Sequence, residues 1–256
     1  MEFNKQNILN KVKEAQQSTV VMDEGLRAHM LKVYNYMASA ILLTGVFSIL
    51  FYNLSGGSSI QISSAGISGL SPVGYAIYGS PLKWLVMLAP LGIVFYMSAR
   101  MNRMSASSAQ TVFWVFAALM GISLSSIFLR YTGFSIARVF FITSGTFGAM
   151  SIYGYTTKRD LTKLGSFLMM GLFGIIIASV VNMFMGSERM EFIISILGVL
   201  IFVGLTAYDT QKIKNMYVSS DTGELMGKKA VMGALTLYLD FINLFIMLLR
   251  LFGQRR

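Results

Sequence analysis

The sequence predicts an all-α fold: a polytopic membrane protein built as a seven-transmembrane-helix bundle. Three observations carry this. Of 256 residues, 55% are hydrophobic and only 12% charged, mean hydropathy is +0.63, and the apolar residues lie in long runs. Soluble domains carry about 25% charged residues, and a soluble chain would have to hide several runs as long as the hydrocarbon is thick, about 20 residues each.

Seven apolar segments follow in order, at about 31–52, 82–99, 107–129, 135–155, 161–185, 190–216 and 228–251. A polar tail over residues 1–30 precedes one bundle over 31–256. The tail has no cleavable apolar core followed by small residues, so the first run reads as a retained span. The tail, with Lys5, Lys11, Lys13 and Glu14, suits a handle for a membrane partner or equally a solvated helix on anionic lipid. His29 reads as a polar residue at the edge of the first span. Residues 53–80 are rich in Ser and Gly and uncharged, a composition that predicts a flexible loop with no catalytic pattern. Pro81 and Pro90 predict the start of the second helix and a kink within it. Ser144 and Gly148 have the small-xxx-small spacing that lets helices approach closely. Trp84 and the tyrosines near segment ends fit an aromatic belt, and the 19 Met residues fit flexible core filler.

Net charge +10 raises the question of nucleic acid, but Lys and Arg lie in short clusters between the apolar runs and form no single basic face. They read as topology signals. With the N-terminus cytoplasmic, that side holds Lys5, Lys11, Lys13, Arg27, Arg100, Arg103, Lys158, Arg159, Lys163, Lys212, Lys214, Lys228 and Lys229, against Arg130, Arg138 and Arg189 opposite. Seven full spans then leave Arg250, Arg255 and Arg256 outside, and the charge rule prefers a last segment that bends back inside. Cysteine is absent, which excludes disulfides and thiol chemistry. The single His and the lack of an HExxH pairing argue against zinc.

Nine of the eleven acids lie in the tail or near loop ends; Asp209 and Asp240 do not. A carboxylate at the centre of a bilayer costs roughly 2.5 to 3.5 kcal/mol on insertion scales, so it needs a reason to be there. In the seventh segment Thr236, Asp240, Asn243, Met247 and Arg250 recur at steps of four, three, four and three, and fall within an arc of about 80° that includes Asp240. Such a stripe should face the bundle interior or a water-filled cavity. If helix six runs to about Tyr217 and helix seven starts near Ala230, a rise of about 1.5 Å per residue puts Asp209 about 12 Å and Asp240 about 15 Å above the turn. The two carboxylates are therefore allowed to face each other, though not required to. Two carboxylates a few ångströms apart in a low-dielectric site do not both ionise cheaply and tend to share a proton. Fully ionised, they offer hard oxygen ligands for a divalent cation such as Ca²⁺. The blander reading pairs each acid locally, Asp240 with Asn243 and Asp209 with Lys212 or Lys214.

AYDTQKIK at 207–214 and LYLDFINLFIMLLRLFG at 237–253 resemble the last two helices of the Bax-inhibitor, or transmembrane Bax-inhibitor-motif, family, and GISLSSIF at 121–128 resembles its third helix. The resemblance implies a seven-helix bundle of a bacterial member in which Asp209 and Asp240 form a pH-sensing pair in a pore that leaks Ca²⁺. No cofactor is expected, with Ca²⁺ as a transported or transiently bound ion. The resemblance also implies an arginine of the second helix that latches onto the pair, and in FYMSARMNRM that is Arg100 or Arg103. Some bacterial members are associated with a membrane-anchored AAA protease, and eukaryotic ones with restraint of cell death.

Three functions compete. The first is a pH-sensitive calcium leak channel of the bacterial plasma (inner) membrane, lined by Asp209 and Asp240 with Thr236 and Asn243 facing the pore. The second is a non-transporting regulator that binds a membrane protease or another membrane partner. The third, intramembrane aspartyl proteolysis, fits poorly: the chain has LYLD where such proteases have GxGD, and no PAL motif follows. The sequence therefore reads as a non-enzyme with the lipid bilayer as its partner, and gives no oligomeric state.

Overall fold

Among the described residues, seven helices are long and apolar enough to cross a membrane. The computed structural model describes residues 24–62 and 66–256 in full, and residues 2–23 and 63 by their backbone alone. The helices are α1 (Glu2–Leu54), α2 (Leu82–Arg100), α3 (Ala106–Leu124), α4 (Gly133–Thr156), α5 (Thr162–Met185), α6 (Glu188–Asn215) and α7 (Gly223–Phe252). All seven predicted segments are present, and the protein is an all-α polytopic membrane protein. The apolar span of α1 begins at Glu24. The side chains of Lys5, Lys11, Lys13 and Glu14 lie outside the described residues.

The helices start where the sequence supplies a cap. Ser105, Thr132, Ser187 and Thr222 each accept a backbone amide of the first turn, opening α3, α4, α6 and α7. Pro81 sits at the cap of α2, and Pro90 lies inside that helix.

α7 is the axis of the bundle. It buries 72% of its apolar window, against 11% for α2 and for α5. It packs on α1, α3, α4 and α6, whereas α2 leans chiefly on α3 and α5 chiefly on α6. Ala230, Val231, Ala234, Leu237 and Leu244 of α7 are almost fully buried, small residues among them letting neighbours close in. The exposed apolar faces of α2 and α5, including Leu85, Phe95, Phe167 and Phe173, suit contact with lipid tails.

Three expectations change. The 53–80 segment is a folded connector: β1 (Gln61–Ser63) pairs antiparallel with β2 (Gly66–Ser68), in register Ile62 with Ile67, and a short helical stretch follows. The Ser71 hydroxyl donates to the Leu54 carbonyl at 2.6 Å. Gly69, at φ 75°, lies so close to the Ser59 backbone that a Cβ would collide with it, so this glycine serves close approach and not looseness.

The last segment does not bend back. α7 is one unbroken helix, and the residues after it meet the α3–α4 turn at the end opposite the start of α1's span: Thr132 donates to Gln254 and Arg256 to Arg130 through backbone amides at 3.1 and 3.0 Å. The charge that the loop count leaves outside is partly neutralised there. Arg250 and Arg255 pair with Glu191, Arg255 also pairs with Glu188, and Arg256 reaches the Tyr52 hydroxyl at 3.1 Å.

Close helix approach falls elsewhere than Ser144 and Gly148. A Cβ on Gly148 would meet nothing within 4 Å, whereas one on Gly154 would strike the Ala207 backbone and one on Gly121 the Thr44 backbone.

Candidate acid-pair site in the bundle

The AYDTQKIK stretch of α6 reads in the structure as one positioning face and one chemical residue. Ala207 packs against Gly154. The Thr210 hydroxyl hydrogen-bonds that of Ser151 at 3.2 Å. Gln211 receives the Leu161 amide and donates to the Arg159 carbonyl, both at 2.8 Å. Lys214 donates to the Tyr155 carbonyl at 2.7 Å. Positions 207, 210, 211 and 214 recur at helical spacing and lock α6 to α4 and to the α4–α5 turn. Asp209, on the other side of the helix, is left to face inward.

On α7 the arrangement is parallel. Tyr238 is fully buried on one face, edge-on to Phe113 and Phe116 at 6.1 and 5.2 Å between ring centres. Asp240, two residues on, points the other way. Lys229 donates to the Met216 carbonyl at 2.8 Å, so the last turn of α6 and the second turn of α7 are level. α7 begins at Gly223, seven residues before the start expected near Ala230, so the expected depth count does not carry over, although the two aspartates still meet.

Asp209 and Asp240 are 7% and 5% exposed, and their carboxyl groups face each other within hydrogen-bonding reach. Oδ2 of Asp240 is buried without a partner. An acceptor left so costs about 1–3 kcal/mol or more when charged, which a shared proton or a bound cation would offset.

Both acids line a cavity of about 530 Å³ between α5, α6 and α7. The predicted stripe lines it too: Thr236, Asp240, Asn243 and Met247. The Thr236 hydroxyl is tied to the Met232 carbonyl at 3.1 Å and the Asn243 amide to the Leu239 carbonyl at 2.8 Å, which fixes their outward-facing atoms. Arg250 leaves the stripe for the far helix end. The local pairing of Asp240 with Asn243 is therefore not made, whereas Lys212 does line the cavity near Asp209, its ammonium 5.9 Å from the Tyr208 ring centre.

The latch is not formed in this structure. Arg100 and Arg103 are exposed and line no part of the cavity, because α2 packs on α3 and away from α6 and α7. No third acid or His joins the aspartates as a metal cluster among the described residues.

Sequence reasoning missed the α5 wall, with Ser179 as its polar point, and the locking face of α6. The latter was readable from its i, i+3, i+4, i+7 spacing; the former was not, because the few polar residues of α5 form no stripe that marks a face.

A helical membrane protein whose bundle holds two facing aspartates in a side cavity is the class that this fold and site define. Residues 26–256 match the family described as inhibitor of apoptosis-promoting Bax1, and the chain belongs to that family. It is 50% identical over 234 residues to the RP147 protein of Rickettsia prowazekii, covering 91% of this chain and 92% of that one. It is 44% identical over 237 residues to the inner membrane protein YbhL of Escherichia coli, covering 91% and 94%. It is also 35% identical over 232 residues to a membrane protein of Streptococcus pyogenes, SpyM3_0260, covering 91% and 95%.

Proposed function

We propose that the protein is a pH-sensitive calcium leak channel whose Asp209–Asp240 pair exchanges a shared proton for the passing cation. The carrying observation is the pair itself: two buried carboxyl groups in contact, one oxygen unpartnered, beside Thr236 and Asn243 in a cavity of the spanning bundle. Lys212 of α6 is the basic side chain that lines the cavity with Asp209, and α5 brings no charged side chain to it. Protonation removes the charge that attracts Ca²⁺, and Ca²⁺ displaces the proton. The work asked of the protein is a path and a gate, and no covalent chemistry enters.

The setting we propose is a bacterial inner membrane, as the name of the E. coli relative prints for that protein, with the N-terminus cytoplasmic by the Lys and Arg bias. The test is Ca²⁺ flux through liposomes holding the purified protein, from pH 5 to 8, for the parent, Asp209→Asn and Asp240→Asn. Flux that follows pH in the parent and loses that dependence in either variant supports the reading. A correctly folded parent that carries no Ca²⁺ at any pH overturns it and turns attention to the alternative, regulation of a membrane protease or other membrane partner.

A further inference from the structure

The cavity that holds the acid pair has mostly apolar walls, with Ser179, Lys212, Thr236 and Asn243 as polar points beside the aspartates, and a side opening. α5 packs on α6 and makes at most slight contact with α7, so helix packing does not close the space between α5 and α7. Of the α5 residues that line it, Leu172 and Ile175 point inward, while Ile176 and Val180 are 49% and 51% exposed on the lipid-facing side. The aspartates sit at the inner end, with Asp240 Oδ2 buried and unpartnered. At about 530 Å³ the space lies within the roughly 300–1,000 Å³ typical of small-molecule sites.

These features select a ligand chemistry. A small hydrated ion coming from the side would trade water for methyl groups. An uncharged lipid tail would fill the walls and leave the carboxylate oxygen bare. A lipophilic ammonium satisfies both: its alkyl body lies against α5 and its N–H donates to the aspartates, the charge-assisted bond being the stronger kind. We propose that this cavity is a membrane-entered binding site for lipophilic amines, the ammonium seated on Asp240 and Asp209 and the chain between α5 and α7. It rests on the same acid pair as the leak reading but not on any flux. An amine bound there occupies the cation's oxygens and blocks the leak from the membrane side.

The test uses the full chain in phosphatidylcholine liposomes with two photoreactive probes, a diazirine-bearing dodecylamine and the corresponding dodecanol, with labelled peptides mapped by mass spectrometry. The expected result is labelling of 169–180 and 236–247 by the amine roughly ten-fold above the alcohol, the low end of what a charge-assisted bond supplies. Labelling of the lipid-facing α2 should be equal for the two probes. Asp240→Asn removes the amine preference. Ile176→Trp, at a half-exposed position that tolerates the ring, fills the opening and lowers labelling with the aspartates intact. Equal labelling of α5 and α7 by amine and alcohol, or amine labelling of α2 as strong as that of α5, overturns the proposal. Amine-selective labelling in a protein that carries no Ca²⁺ upholds this site while the leak reading fails. A pH-dependent leak without amine selectivity upholds the leak and sinks the site.

Discussion

The Thr44 hydroxyl lies 2.7 Å from that of Tyr238, and it also meets the Ala117 carbonyl at 2.9 Å. One buried junction thus joins α1, α3 and α7 on the face of α7 opposite Asp240. Because that face is fixed, the acid-bearing face cannot rotate toward lipid without breaking the junction. Thr44→Val should leave the Tyr238 hydroxyl without its partner and cost about 1–3 kcal/mol. Tyr238→Phe should cost less, about 0.5–1.5 kcal/mol, since Thr44 keeps the Ala117 carbonyl. Thermal unfolding in detergent measures both, and equal losses would contradict this division of roles.

Two glycines of α4 separate close packing from open space. Gly154→Ala drives a methyl into the Ala207 backbone, two residues from Asp209, and should destabilise by about 1–3 kcal/mol as overpacking does. Gly148→Ala meets nothing within 4 Å and should be neutral or slightly stabilising, as Ala replaces Gly in a helix. The same unfolding assay ranks the pair, and a Gly148 variant as damaged as the Gly154 variant would overturn the assignment.

Acid should loosen the α4–α5 turn. The Thr162 hydroxyl, 2.6 Å away, and then its amide, 2.9 Å away, hold the Asp160 carboxyl below its ordinary range. A carboxyl lowered in the folded state contributes stability that is full above its unfolded value of about 3.9 and is lost as pH falls through the folded value. Asp160→Ala should therefore lower the melting temperature at pH 7, and its gap from the parent should narrow below about pH 4. A gap that widens in acid would contradict the sign.

Much of this architecture is legible in residue order alone. The seven spans follow from apolar length, and the stripe Thr236, Asp240, Asn243, Met247 follows from helical period, because both are local properties of one helix. What α7 packs against is not local. That Tyr238 meets Thr44, that α5 makes at most slight contact with α7, and that Arg100 ends away from the acids depend on how helices are arranged around the axis, which period and hydropathy leave open. The Ser- and Gly-rich connector misleads for a related reason: glycines that allow close backbone contact have the same composition as glycines that allow freedom.

The central claim is that Asp209 and Asp240 act as one unit. The most direct measurement is a double-variant cycle on the slope of liposome Ca²⁺ flux against pH, using Asp209→Asn, Asp240→Asn and the combined variant. Groups that share a single proton are strongly non-additive, so either substitution alone should flatten the slope as fully as both together. If the two single effects instead add to that of the double variant, each aspartate titrates independently and the shared-proton account is wrong.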